Sequence, residues 1–155
     1  MSADDVEVVQ AMNEPWSGRD VAAELRDQLA AVDENDAEAM LEAMRGFIAQ
    51  TPSWQHLHPE IVWDAGGMFG CARGLDEFAL FWPEWAGLWE SYVPHMLEYR
   101  DLGGWVLLPA RVEARGRDGI AVEMLIFQLF QVRDGKVAVM RAFMSERAAL
   151  AAAGA

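Results

Sequence analysis

Between Gly104 and Met144 the chain reads GWVLLPARVEARGRDGIAVEMLIFQLFQVRDGKVAVMRAFM. Two Asp-Gly pairs, Asp118-Gly119 and Asp134-Gly135, separate three runs rich in Val, Leu, Ile and Phe. Asp-Gly between apolar runs is a strong hairpin signal, because a type I′ turn needs positive φ at both central residues. The stretch therefore predicts an antiparallel meander. The preceding residues are expected to cover one face of that sheet.

Working outward, the 155 residues are expected to form one domain, long enough to bury a sizeable core. Apolar residues make up 53%, which argues against disorder. Seven Trp and seven Phe are a heavy aromatic load, pointing to a large core or an apolar pocket. The net charge of −13, with no Lys/Arg cluster, argues against nucleic acid and anionic membrane surfaces as partners. Cys71 is the single cysteine, so no internal disulfide is expected and a reducing compartment fits. The N-terminus is acidic where a secretory signal is basic, and no apolar run approaches the roughly 20 residues of a membrane span. A cytoplasmic location is expected.

Ser2 with Asp5 reads as a capping box ahead of a helix bearing Val6 and Val9. Pro15 and Ser17-Gly18 end it. Asp20 caps a second helix with the stripe Val21, Leu25, Leu29 and Val32, and Asn35 with Glu38 opens a third carrying Met40, Leu41, Met44, Phe47 and Ile48. Glu60–Asp64 reads as a short strand, followed by the glycine-rich bend 65–70. No Gly-Lys-Ser/Thr follows that bend, so it is not a phosphate loop. Gly74–Tyr92 reads as an aromatic helix with Pro83 kinking or restarting it, and Val93–Arg100 as a strand. The Ala-rich tail, Ala148–Ala155, is expected to fray. Along Ile120–Val132 both strand faces are apolar, so both are expected to be covered. Helices take one. A second copy of the chain, docked as a homodimer on the other, takes Met124, Ile126 and Phe130.

This order resembles the NTF2-like superfamily, within it the SnoaL-like and ketosteroid-isomerase-like proteins. The likeness rests on Val6–Val9 with Gly18-Arg19-Asp20, Ile61–Asp64, Gly74–Phe78, the hairpin Val132–Val137 and Ser145-Glu146. It covers residues 1–31 and 60–150, whereas residues 33–59 form a longer link that adds a helix. The resemblance implies an α+β cystatin/NTF2-like cone: a curved antiparallel sheet wrapped around the N-terminal helices and one long aromatic helix, enclosing a cavity. Strand alternation then assigns to the cavity Met140, Ala142 and Met144, Glu123, Leu125 and Phe127, and Leu108, Ala110 and Val112. Trp63, Phe69, Trp82 and Trp85 join them as ligand-binding candidates, and Trp82, Trp85, Trp89 and Tyr92 could stack on a flat ligand. An aromatic stripe at helical spacing also serves as core.

Asp64 stands where the resemblance places a general base. A carboxylate among Trp63, Met68, Phe69 and the aromatic helix is partly desolvated and becomes a stronger base. The alternative is a solvated acid at a strand end. The Tyr and protonated Asp that complete the isomerase set in the ketosteroid isomerases have no counterpart: neither Tyr92 nor Tyr99 is in the first helix, and Phe127 falls at the acid's place. Without oxyanion donors steroid isomerisation is rejected. Glu123 is either a buried donor or a rim acid. His58, with His56, is either a polar residue at the pocket mouth or a solvated loop histidine. Two such histidines with Asp64 or His95 could ligate zinc, but loop histidines beside proline are usually solvated, and no metal or other cofactor is expected. Limonene-epoxide-hydrolase-like water activation needs Asp-Arg-Asp in the cavity, whereas Arg111 and Arg141 fall on faces assigned outward.

Two functions follow. One is a binder of a small apolar ligand, cyclic or aromatic and carbonyl-bearing, with isomerase- or cyclase-type proton transfer by Asp64. The other is a non-catalytic ligand-binding or dimerisation module.

Overall fold

In a computed structural model, residues 3–66 and 70–155 are described. Ser2 of the expected capping box, and Met68 and Phe69 of the expected site, lie outside them. Helix α1 (Ala3–Asn13) leads through a 3₁₀ turn (Glu14–Trp16) to α2 (Val21–Leu29) and α3 (Ala37–Gln50). A second 3₁₀ turn (Pro52–His56) enters strand β1 (Leu57–Asp64). Then come β2 (Cys71–Arg73), α4 (Gly74–Gly87), β3 (Trp89–Met96), β4 (Arg100–Asp101), β5 (Val106–Gly116), β6 (Ala121–Arg133), β7 (Lys136–Phe143) and α5 (Glu146–Ala153).

The helices start where side chains can replace missing backbone partners. The Asp20 carboxylate accepts the Ala23 N–H of α2, and Asp36, one residue after the Asn35 of the sequence reading, accepts the Ala39 N–H of α3. Asp20 also accepts the Ser91 hydroxyl and the Tyr92 N–H, at 2.7 and 3.0 Å, so one carboxylate ties α2 to β3. Arg26 reinforces the tie by donating to the carbonyls of Trp89 and Glu90. The aromatic helix ends at Gly87 rather than Tyr92, with Pro83 inside it. From Trp89 onward the backbone pairs with β5, and that ladder outcompetes a longer helix.

The sheet order is β2-β1-β7-β6-β5-β3, with β4 against β5. It is curved and unclosed, and antiparallel except for β1 beside β7. Its concave face holds the main core, where Val9, Met44, Ile61, Phe78, Val106, Leu108 and Phe130 are fully buried. Each such side chain contributes about 1.5–3 kcal/mol by leaving water.

Asp134-Gly135 forms the expected type I′ turn, with φ of 55° and 75°. At Asp118-Gly119 only the glycine is left-handed (φ 85°), and its N–H closes on the Gly116 carbonyl at 2.9 Å. That is a type I turn with glycine at its exit.

Past the first of these turns the register departs from regular alternation. Gln131 pairs with Val139 and Val132 with Val137, leaving Ala138 as an extra residue on β7. A regular hairpin would set Phe127 opposite Ala142. The bulge sets Gln128 there, and Phe130 opposite Met140. Directly paired residues share a face, so one extra residue exchanges which face of β6 goes with which face of β7, in agreement with the pairing of β6 to β5. Met124 and Ile126, paired with Val112 and Ala110, therefore look into the cone, and Phe130 is in its core. None of the three is available to a partner chain.

The convex face has its own cover. α5 does not fray: the Ser145 hydroxyl oxygen accepts the Ala148 N–H, Gly154 (φ 74°) ends the helix, and Ala149 is fully buried on Leu107, Phe127 and Leu129. α5 thus covers the Phe127–Leu129 end of that face, while Leu125 stays exposed.

Candidate functional site

The cone encloses a cavity of about 840 Å³. Helices α1, α2, α3 and α4 supply Met12 and Asn13, Val21 and Leu25, Phe47, and Phe81, Trp82 and Trp85. The strands supply Trp63 and Asp64, Trp89, Tyr92, Pro94 and Met96, Ala110 and Val112, Met124, Ile126 and Gln128, and Met140 through Phe143, with Met144 following. The wall is mostly aromatic and thioether. Trp54, Trp63, Phe81, Trp82 and Trp85 form a continuous ring cluster with centroids 4.9–6.2 Å apart, and Met side chains lend it adaptability.

Few polar groups break this surface. Asn13, buried at the end of α1, donates through Nδ2 to the Val9 carbonyl at 2.8 Å, leaving its amide oxygen unbonded among the described residues. The Gln128 amide makes no hydrogen bond among them. The Tyr92 phenol is pushed up by burial alone, so it remains a neutral donor throughout the physiological range. The indole N–H groups of Trp63, Trp82 and Trp89 are buried without partners among the described residues. Native structures pair nearly all such groups, which marks these walls as unusual.

At the rim, Asp64 and Arg141 are register partners on β1 and β7. Arg141 Nε is 3.5 Å from Asp64 Oδ2, and Asp64 Oδ1 accepts the Gly66 N–H at 3.0 Å. The Asp64 side chain is 40% exposed, so the expected enclosure is replaced by an ion pair and a turn. A short strand that the sequence reading lacked precedes α4: Asp64 and Cys71 pair as β1 and β2, and three residues of β2 are too few to show a period.

Of the residues selected from sequence, Trp63, Asp64, Trp82, Trp85, Trp89, Tyr92, Ala110, Val112, Met140, Ala142 and Met144 line the cavity. Leu108 shares their face but is fully buried in the core beyond the cavity wall. Glu123 and Leu125 are exposed on the convex face, and Phe127 lies there under α5, all three facing away from the cone with their β5 partners Glu113, Arg111 and Pro109. His58 is away from the mouth: its Nδ1 accepts the Glu60 N–H at 3.0 Å and its Nε2 is 3.6 Å from Asp134, because β1 begins beside the last hairpin. His95 is on the convex face, 3.1 Å from Glu113, whose carboxyl is held low by a hydrogen bond from Arg111. Among the described residues no group of three or more His, Cys, Asp or Glu is placed to hold a metal ion. No described helix is long and apolar enough to cross a membrane.

Sequence reasoning missed Asn13 and Gln128, and placed Arg141 outward. The pattern carried no signal for the first. For the second, a single Gln between Phe127 and Leu129 was visible, but its face depended on the bulge. Arg141 does alternate away from Met140, yet it sits where the strand ends at the rim. Asp64 is the only Asp lining the cavity among the described residues, so an Asp-Arg-Asp arrangement is not formed there.

No protein-family profile and no curated protein matches the chain in sequence. Solved structures do match in shape. An NTF2-like protein of unknown function from Burkholderia pseudomallei superposes with a TM-score of 0.63 at 13% identity, over 97% of each chain. TerC, co-crystallized with polyporic acid, gives 0.60 at 17% identity, over 98% of this chain and 99% of its own. A protein assigned as a SnoaL-like polyketide cyclase from Jannaschia gives 0.59 at 16% identity, over 97% and 91%. Helices, sheet and cavity together give this chain the NTF2-like, cystatin-like fold of the SnoaL-like and ketosteroid-isomerase-like proteins.

Proposed function

We propose that this protein binds a small, flat and largely apolar ligand, cyclic or aromatic and carbonyl-bearing, in the cone cavity. The observation that carries this reading is the open cavity of about 840 Å³, within the roughly 300–1,000 Å³ typical of small-molecule sites. Its aromatic walls suit a flat body. The Tyr92 hydroxyl, the Gln128 amide and the Asn13 amide oxygen offer neutral hydrogen bonds that would orient a polar substituent. Two proteins of the same fold bear names that fit this class, one crystallized with polyporic acid and one assigned as a polyketide cyclase.

A second reading adds catalysis of the isomerase or cyclase type, with Asp64 as the base that moves a proton on the bound carbonyl compound. It is favoured by the position of Asp64 on the cavity rim. His58 and Glu123 take no part, since neither reaches the cavity. The non-catalytic alternative keeps the same cavity and uses Asp64 only to hold Arg141. Thermal-shift titration of the protein and of Asp64→Asn with flat carbonyl compounds, phenols and epoxides separates these. A ligand at 100 times its Kd stabilises the native state by about 2.7 kcal/mol. Binding retained in Asp64→Asn with turnover abolished supports the catalytic reading. Binding without turnover in either form leaves the binder, and no melting shift with any compound rejects both.

The convex face is proposed as a homodimer surface. Leu125 is 48% exposed there, beside the Arg111–Glu113 pair and His95. Light scattering should give twice the chain mass, falling to one chain in Leu125→Lys; a wild-type monomer at high concentration rejects it.

A further inference from the structure

Arg141 is the one basic residue lining the cavity among the described residues. Its guanidinium has three sides to account for. One face lies on the Phe143 ring, 5.0 Å from the centroid. The Nε edge faces Asp64 at 3.5 Å. The Nη1/Nη2 edge makes no hydrogen bond among the described residues, although the side chain is only 34% exposed. A guanidinium carries five N–H donors in a fixed plane, and a two-nitrogen edge matches a carboxylate in two parallel hydrogen bonds. Asp64 lies along the Nε edge instead, with its Oδ1 accepting the Gly66 N–H.

We propose that Arg141 is the specificity-determining residue of the cavity, and that its ligand is an aromatic or polycyclic monocarboxylate. The flat body lies among the Trp63, Trp82 and Trp85 rings and the carboxylate docks on the Nη edge at the rim. Asp64 sets the charge limit: one guanidinium beside one carboxylate accepts a planar monoanion, while a dianion meets repulsion from Asp64. The proposal rests on the cavity reading above.

The test uses the whole chain and two probes, anthracene-9-carboxylate and its methyl ester, followed by calorimetry. The two share a flat body and differ in charge. The expected result is at least tenfold tighter binding of the acid than of the ester, with the gap closing in Arg141→Met and partly retained in Arg141→Lys. Melting curves of both variants check that the fold persists, and the ester serves as an internal control for an intact cavity. Equal affinity for acid and ester in the wild-type protein overturns the role of Arg141 while leaving the apolar binder intact. A gap that survives in Arg141→Met overturns it as well. If neither probe binds, the cavity reading fails and takes this inference with it.

Discussion

The indole of Trp63 on β1 lies nearly parallel to that of Trp82 on α4, with 14° between the planes and 5.9 Å between centroids. Phe81 meets both edge-on, at 5.6 and 4.9 Å. This stack fixes the distance of α4 from the sheet and so the width of the cavity. Trp63 is 5% exposed, and truncating a buried aromatic typically costs about 3–5 kcal/mol. Trp63→Ala should lower the urea-unfolding free energy by that amount and weaken the near-ultraviolet circular dichroism. Trp63→Phe should recover much of both.

Asp20 does more than cap a helix. Burial pushes its carboxyl up, but the Tyr92 N–H, the Ser91 hydroxyl, the Ala23 N–H and Arg26 together outweigh burial and hold it below the usual carboxylate range. Its contribution is therefore present above the unfolded value, near pH 3.9, and is lost as pH falls through the lower folded value. Asp20→Ala should cost about 2–3 kcal/mol at pH 7, combining a lost cap with lost charged hydrogen bonds. The difference from wild type should shrink in denaturation curves run below about pH 4.

The two faces of β6 should respond differently to substitution. Gln128→Leu is expected to weaken binding of a carbonyl-bearing ligand by about 0.5–1.5 kcal/mol, the net worth of one hydrogen bond, without lowering the melting temperature. Glu123→Gln, on the convex face, should leave calorimetric affinity unchanged. Loss of affinity in Glu123→Gln with none in Gln128→Leu would contradict the observed register.

The tail also makes a firm demand. Ala149 is fully buried between α5 and the convex face. Ala149→Asp places a charge without a counter-ion in an apolar contact, at a cost of several kcal/mol. Unfolding of α5 from the sheet should follow, read as binding of a hydrophobic dye to Leu107, Phe127 and Leu129.

Most of the architecture was legible because it is written in patterns several residues long. The Asp-Gly turns, the Leu25 and Met44 stripes and the aromatic spacing of α4 all repeat often enough to be read. What escaped was carried by single residues or by small ones. Ala138 looks like any strand residue, yet it reverses which face of β7 meets each face of β6. The alanines of the tail bury little area each, so their docking left no stripe. Asp64 and Arg141 were both visible, but their encounter depends on β1 lying parallel to β7, a pairing between segments far apart in the chain.

The bulge at Ala138 also bears on how such cavities diversify. Chemistry on this wall is governed by parity as well as by side-chain identity. With β6 held by its ten pairs to β5, loss of one residue between Lys136 and Val139 would turn Met140, Ala142 and Met144 outward and bring Val139, Arg141 and Phe143 inward, with no substitution anywhere. A descendant could thus exchange a thioether-lined strand for one presenting a guanidinium and an aromatic ring in a single step. Two relatives could match residue for residue along β7 beyond this point and still bind different molecules.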